Sequence, residues 1–296
     1  MIPRIKNNFI QPTGSGDTWT LNIKPLPTKF DNYFIESCRA AEEIYDLKEG
    51  PLHVMYSGGA DSEYALNVFL HMGMEITPVI VRLSSDFNKH DLDYAFKFCQ
   101  RKNITPTIID INFEEFVATG KLETISKLIK SSVVPRAATC YAMNFIDGSI
   151  ICGDGDPHIS KDIDTDIWYF DAAEHDYAVE NFMKEKNIDG TNFFCGYTPE
   201  MVSAFLVDPC MRDLADNRIP GKLGNNSSKS IIYNRHSNFE LVERPKFHGY
   251  EKIINHEIAK QLNLDLESDE PYKFKEPEYN GHFQVKYYDL IRDLIS

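Results

Sequence analysis

Apolar and polar positions alternate in blocks between residues 31 and 153, and these blocks predict strands and helices in turn. Apolar side chains at helical spacing predict a first helix over 31–47. Short apolar runs then predict four strands, at LHVMY (52–56), ITPVIVRL (76–83), TPTIIDI (105–111) and GSIICG (148–153). Amphipathic segments between them predict helices over 62–72, 89–102 and 113–130. Strands that alternate with helices are typical of a parallel sheet covered on both faces.

The pattern becomes less regular after about residue 157. Aromatic residues and Asn, Asp and Pro breaks become frequent, and helical spacing is scattered, as in EKIINHEIAKQLN (251–263). We therefore predict an α/β fold, a parallel twisted sheet with helices on both faces, followed by a mostly helical C-terminal region. The predicted parts are an arm and helix over 1–50, an α/β core over 51–157 and a region over 158–296 that completes the site.

The charge balance narrows the classes of partner. The chain has 31 basic and 45 acidic residues and a formal net charge of −14. Such a surface repels phosphate backbones, so we expect a small-molecule substrate rather than a nucleic acid. The six cysteines have no metal-binding or disulfide spacing, and neither a signal peptide nor a membrane span is predicted. These features favour a cytoplasmic protein.

A pair of glycines follows the first strand of the predicted sheet, in SGGADS (57–62). Ligands of open parallel sheets bind beyond the carboxyl ends of the strands, where this segment falls. Gly58 and Gly59 let the backbone approach a ligand closely, and the next helix offers unpaired N–H groups with partial positive charge. A simple turn would use the same residue types. The context favours a site for a phosphate or pyrophosphate.

The S-G-G-x-D-S segment resembles the signature of the PP-loop ATP pyrophosphatases, whose fold is adenine nucleotide alpha hydrolase-like. The resemblance implies binding of ATP and cleavage between its α and β phosphates. It assigns the pyrophosphate to Ser57, Gly58, Gly59 and Ser62 and a Mg²⁺ ion to Asp61. It also implies that adenine meets the backbone at the end of the second strand, from Val81 to Leu83. We interpret the side chain of Arg82 as a solvated charge at the end of this strand.

Two further segments are similar to the synthetase domains of asparagine synthetase and β-lactam synthetase. The first, SIICGDGDPH (149–158), resembles their G-[ED]-G-x-D-E segment. It implies a role near the nucleophile for Asp154 and a metal ligand at Asp156. Here the acids are one residue closer together than in that family, and Pro157 replaces a Glu. Which acid holds the metal is therefore left open, and an Asp-Gly turn is the alternative.

The second segment is SKSIIYNRHSNFELVERPKFHGYEKI (228–253). It matches a K-x-x-[IL] helix at 229–232, followed by R-x-K at 244–246 and a Gly-Tyr pair at 249–250. The resemblance assigns catalytic roles to Lys246, which would reach the phosphates and the transition state, and to Arg244. A basic loop on an acidic protein is the alternative interpretation.

These resemblances predict an ATP-dependent, AMP-forming ligase that adenylates its substrate and releases pyrophosphate, with ATP and Mg²⁺ as cofactors. Only about fifty residues precede the first strand of the predicted sheet, too few for a glutaminase domain. We therefore expect ammonia or an amine as the nitrogen donor. The alternatives are a PP-loop enzyme that modifies a nucleobase or tRNA, and a non-catalytic nucleotide-binding protein. The aromatic group at 168–171 fits core packing better than an acceptor pocket. The acceptor, the donor and the oligomeric state stay open.

Overall fold

The computed structural model describes residues 1–4, 6, 10–13, 20–131, 133–173, 177–216, 218, 225–241, 257 and 282–295. Ten strands occur in this part of the chain: β1 Ile10–Thr13, β2 Thr20–Ile23, β3 Leu52–Met55, β4 Thr77–Leu83, β5 Thr107–Ile111, β6 Ser149–Ile151, β7 His158–Asp162, β8 Ile167–Ala173, β9 Gly190–Thr191 and β10 His282–Lys286.

Eleven α-helices occur among the same described residues: α1 Tyr33–Leu47, α2 Ala60–His71, α3 Lys89–Lys102, α4 Phe113–Ala118, α5 Lys121–Ile129, α6 Val134–Met143, α7 Ala178–Glu185, α8 Pro199–Leu206, α9 Pro209–Ala215, α10 Asn225–Ser237 and α11 Tyr287–Ile291. Side-chain caps fix where several of them begin. Asn32 accepts a hydrogen bond from Ile35 N at the start of α1, and Thr198 accepts one from Met201 N at the start of α8. Such caps satisfy backbone donors that have no partner within the helix.

The central sheet is parallel, with the strand order β5-β4-β3-β6-β9. Its alternate side chains enter two separate hydrophobic cores. Val54 of β3 and Ile151 of β6 belong to the core that also contains α1, α2, α8 and α10, whereas Met55 and Ile150 belong to the core formed with α5, α6 and α7. Because neighbouring residues of a strand point to opposite faces, helices cover both sides of the sheet.

The predicted fold class is confirmed, and so are the four strands expected in its core. The structure adds α6, the two-residue strand β9, the β1–β2 hairpin and a second sheet. That second sheet is antiparallel, with the order β10-β8-β7, so the C-terminal region is not purely helical. The helix predicted over 251–263 lies outside the described residues apart from Glu257. None of the described helices is long and apolar enough to cross a bilayer.

Candidate active site

The strand order reverses at β3, and this reversal locates the site. From β3 the chain adds β4 and β5 on one side of the sheet, and it then crosses to add β6 and β9 on the other side. The carboxyl ends of β3 and β6 therefore flank the crevice in which open parallel sheets bind their ligands. Two loops enter this crevice, residues 56–59 after β3 and residues 152–157 after β6.

The glycine pair after β3 makes the tight turn that its sequence predicts. Gly58 has φ +84°, and a Cβ at this position would lie 2.4 Å from the carbonyl oxygen of Asp91 in α3. Glycine is thus required there both by conformation and by space. Gly59 is the N-cap residue of α2 and provides no side-chain cap. The first turn of α2 therefore presents backbone donors and the positive end of the helix dipole to the crevice.

Two hydroxyl groups tie this loop together. The Oγ atoms of Ser57 and Ser62 lie 3.1 Å apart, and Ser62 Oγ also accepts a hydrogen bond of 3.3 Å from Ser57 N. Ser57 Oγ in turn accepts one of 3.2 Å from Gly59 N. The four residues predicted to hold pyrophosphate thus form one compact turn whose hydroxyl and N–H groups can be offered to an anion.

The loop after β6 packs directly on this turn. A Cβ on Gly153 would stand 2.6 Å from Ser62 N and 2.7 Å from Asp61 C, so only glycine permits the contact. Gly155 has φ +93° and lies against Phe193, which pairs with Gly153 in an isolated antiparallel bridge. This packing brings the acids of the second loop next to Asp61.

One ammonium group links the two loops. Lys229 of α10 donates from Nζ to Oδ2 of Asp61 at 2.7 Å and to Oδ2 of Asp156 at 3.3 Å. The side chains of Lys229 and Asp156 are each only 9% exposed, so these charges interact with little water between them. Tyr233 donates to the other oxygen of Asp61 at 2.7 Å, and His158 Nε2 lies 3.5 Å from Asp156 Oδ2.

Burial and charge act against each other in this cluster. Burial raises the pKa of Asp61, and the nearby Asp156 carboxylate raises it further, against the lowering effects of Lys229 and Tyr233. Burial also acts to raise the pKa of Asp156, but His158 and Lys229 outweigh it and hold that pKa below its ordinary value. Burial acts to lower the pKa of Lys229, but the two carboxylates outweigh it and raise the pKa well above its usual range. The ammonium therefore remains charged at neutral pH.

The donor chemistry of Asp61 and Asp156 fits magnesium. Carboxylate oxygens are preferred by this cation, which is often held by one or two carboxylates together with substrate phosphates. Among the described residues there is no cluster of three or more His, Cys, Asp or Glu side chains that could hold a metal alone. The two acids thus suit an ion that arrives with a phosphate ligand, and their metal role stays a prediction.

A cleft opens beside the acids. Its enclosed volume is about 140 Å³, and it continues into open solvent. Charged and polar walls come from Arg136, Asp154, Asp156, His158 and Asp171, and apolar walls include Phe170, Tyr177, Phe193 and Val202. Two members of the aromatic group at 168–171 thus face the cleft, and Phe170 also belongs to the core.

The strand end predicted to meet adenine is paired by a side chain. Asn88 donates from Nδ2 to the carbonyl oxygen of Val81 at 2.8 Å and accepts from Leu83 N at 3.0 Å through Oδ1. Arg82 faces the other way and forms an exposed, two-point ion pair with Asp110 of β5. Its interpretation as a solvated strand-end charge agrees with this placement.

Two predicted catalytic residues, Arg244 and Lys246, lie outside the described residues. The structure instead brings Lys229 and Tyr233 to the acids, roles that the sequence interpretation did not assign to them. The available signal was their spacing of four residues, which puts both side chains on one face of α10.

Comparisons with known proteins give the chain no established family. No protein-family profile matches it, and no curated protein matches its sequence. Among solved structures, NMN synthetase from Francisella tularensis matches at 15% sequence identity, with a TM-score of 0.34, over 73% of this chain and 98% of that chain. A likeness this distant does not transfer an activity.

Proposed function

We propose that the protein is an ATP-dependent ligase of the PP-loop superfamily, similar to the synthetase domain of asparagine synthetase. The observation that carries this proposal is the buried Lys229 ammonium between Asp61 and Asp156, at the carboxyl ends of adjacent strands. An acid directly after one glycine-containing loop, an acid within the other, and a cation within reach of both are the parts that phosphoryl chemistry needs.

The chain's own groups would hold the phosphates. The hydroxyls of Ser57 and Ser62 and the first N–H groups of α2 bind phosphate oxygens in this proposal. Lys229 can exchange one of its carboxylate partners for a phosphate oxygen, because its Nζ already lies at the meeting point of the two loops. Lys246, predicted from the R-x-K pattern, is a second candidate for the same task.

Asp61 and Asp156 would hold Mg²⁺ together with the nucleotide. The bound ion supplies charge neutralisation for the phosphate oxygens. Asp61 is the better positioned of the two for contact with the phosphates, because it lies in the first turn of α2 beside the glycine pair. Asp156 lies on the facing loop, so the pair of acids can bridge the crevice.

In the proposed reaction the acceptor binds in the cleft beside the acids. An acceptor carboxylate oxygen attacks the α-phosphorus, the bond from that phosphorus to the bridging oxygen breaks, and pyrophosphate leaves. Ammonia or an amine then attacks the acyl carbon and AMP leaves with the electrons of the C–O bond. The nitrogen loses a proton in this step, and Asp154 on the cleft wall is the proposed acceptor of that proton.

One observation favours a second candidate, a nucleotide-binding protein without catalysis. Both oxygens of Asp61 already have partners, Lys229 and Tyr233. An ammonium between two acids can substitute for a metal electrostatically, and a nucleotide could then bind to the glycine pair without being cleaved. The two candidates share ATP binding and differ in pyrophosphate release.

The decisive experiment measures both properties in one set of variants. Calorimetry with Mg-ATP is combined with a pyrophosphate-release assay over a panel of amino and carboxylic acids with ammonia. We expect binding and release in the unaltered protein, and loss of release by at least about a hundredfold in Asp61→Asn and in Asp156→Asn. Asp110→Asn is the matched control, because Asp110 pairs with Arg82 on the exposed surface.

The outcomes separate the candidates. Binding without release on any acceptor supports the non-catalytic protein. Absence of Mg-ATP binding contradicts both candidates. Equal rates of pyrophosphate release in the three aspartate variants would show that the two acids have no role in the mechanism.

A further inference from the structure

The carboxyl end of β4 carries a donor–acceptor pair that faces the crevice. Tyr56 N donates to the carbonyl oxygen of Val79 at 2.8 Å, so the polar groups of Val79 point toward β3. Along a strand in a parallel sheet, every second residue directs its N–H and C=O to the same neighbour. Val81 and Leu83 therefore face the same side as Val79, but β3 has ended at Met55, and the glycine-pair turn replaces it there.

The side chain of Asn88 fills this position. Its amide pairs with the carbonyl of Val81 and the N–H of Leu83, in place of the strand that has ended. The residue is only 6% exposed, and it does not cap α3, although it is the N-cap residue of that helix. The Asn88 side chain is thus committed to the strand end rather than to its own helix.

A carboxamide presents a donor next to an acceptor. The edge of a 6-aminopurine presents the same pair, because its amino group donates and the adjacent ring nitrogen accepts. A 6-oxopurine has the reverse order and would meet the Val81 carbonyl with another carbonyl. The contacts that Asn88 makes are therefore those that an adenine base would make with the same two backbone groups.

The connection that presents Asn88 has an unusual backbone. Ser85 and Asp86 have φ of +59° and +57°, in the left-handed region that residues other than glycine seldom adopt. Glu114 holds this turn through hydrogen bonds from the hydroxyls of Ser84 and Ser85. Two successive residues in this region indicate that the surrounding contacts impose the conformation, as occurs at switch segments.

We propose that Asn88 is a removable plug of the base pocket: its amide occupies the Val81–Leu83 edge, and an adenine base must displace it to bind. The inference rests on the proposed function, because it takes the ligand to be a nucleotide whose phosphates lie at the glycine pair. Displacement of the Asn88 amide lowers the binding affinity of ligands that carry a base, and it does not affect ligands without one. Tripolyphosphate, which has no base, binds without moving Asn88.

The test compares these two ligands by calorimetry in the presence of Mg²⁺. Asn88→Ala removes the competing amide, so ATP should bind about tenfold more tightly, as expected for relief of roughly one to two net hydrogen bonds. Tripolyphosphate affinity should be unchanged. Asn112→Ala is the control, because the side chain of Asn112 caps α4 by accepting from Glu115 N; it should change neither affinity.

Each outcome has a distinct meaning. Unchanged or weaker ATP binding in Asn88→Ala overturns the plug, whereas an unaltered protein that binds neither ligand overturns the proposed function as well. If Asn88→Ala does not fold, hydrogen–deuterium exchange of the unaltered protein gives the answer. ATP should accelerate exchange in residues 84–88 severalfold relative to tripolyphosphate, and equal or slower exchange would contradict the displacement of Asn88.

Discussion

Tyr233 donates a 2.7 Å hydrogen bond to Oδ1 of Asp61 and so joins α10 to the first turn of α2. The ring of Tyr233 also stacks on Tyr64 with a centroid distance of 4.2 Å, which fixes the direction of its hydroxyl. Lys229 takes the other oxygen of the same carboxylate from one turn earlier in α10. A single helix therefore determines the orientation of Asp61.

Tyr233→Phe should lower the free energy of unfolding by about 1–3 kcal/mol, because a half-buried carboxylate oxygen loses its donor. The change keeps the stacking of the ring on Tyr64. The difference in unfolding free energy, measured by urea denaturation, therefore reports the loss of the hydroxyl alone. Tyr288→Phe is the control: its hydroxyl bonds Asp216, but the residue is 42% exposed, and a change below about 0.5 kcal/mol is expected. Equal losses in both variants would show that Asp61 does not depend on Tyr233.

Lys229→Met should destabilise the protein by about 3 kcal/mol or more at neutral pH, since it leaves Asp61 without a cationic partner and Asp156 with His158 alone. The pKa of Asp61, which burial already raises, then rises further, and the pKa of Asp156 rises as well. A raised carboxyl pKa gives stability that is present at low pH and is lost as the pH rises. The variant should therefore lose less unfolding free energy, relative to the unaltered protein, at about pH 4 than at about pH 7.

Thermal unfolding across this pH range checks the prediction. The double variant Lys229→Met with Asp61→Asn leaves one carboxylate instead of two, and it should recover part of the loss at neutral pH. A deficit that is independent of pH would mean that packing of the lysine side chain, rather than its charge, stabilises the cluster.

Gly153→Ala should destabilise the protein by about 1–3 kcal/mol and weaken ATP binding, because the added Cβ would lie 2.6 Å from Ser62 N and backbone must move. Gly59→Ala is a useful companion. Gly59 has φ −75°, and its added Cβ would meet only the Oγ atom of Ser57, at 3.2 Å. It should fold with near-normal stability and lose ATP affinity alone. Similar melting temperatures for both variants would contradict the close contact at Gly153.

Glu180 of α7 provides a pH test away from the acids. Burial raises its pKa from an ordinary value of 4.5 to about 7, against the lowering effects of Arg4 and Lys184. The protonated Glu180 side chain therefore makes its full contribution to stability below about pH 4.5. This contribution is lost as the pH rises through about 7. Glu180→Gln should be more stable than the unaltered protein by a few kcal/mol at about pH 8. Matching stability curves from about pH 4 to 8 would refute the raised pKa.

The sequence predicted the local part of this fold well. Each central strand is an apolar run next to a turn, and β3, β4, β5 and β6 are found where those runs lie. Helix α6 was missed although its apolar residues recur at helical spacing; it has only ten residues, and the Pro135 in its first turn is typical of a break in a helix. Strand β9 has two residues, too few for any periodic signal.

The long-range part could not be predicted from periodicity. Strands β8 and β10 pair across more than a hundred residues, and their register depends on packing that a local pattern does not contain. The same holds for Lys229, which is 168 residues away from Asp61 in the chain. The glycine pair identified one half of the site. The cation that completes it comes from a polar helix whose weak hydrophobic periodicity does not show which of its faces meets the acids.

The late position of α10 in the chain has a consequence for biosynthesis. A nascent chain that has emerged as far as α9 already contains both acids, Asp61 and Asp156, and the sheet that brings them together. Asp61 gains its ammonium partner only when Lys229 leaves the ribosome, so the α/β core should acquire its full stability after α10 has been synthesised and released from the exit tunnel. Ribosome-bound chains stalled before residue 229 should accordingly be cut by protease more readily than chains long enough for α10 to have left the tunnel.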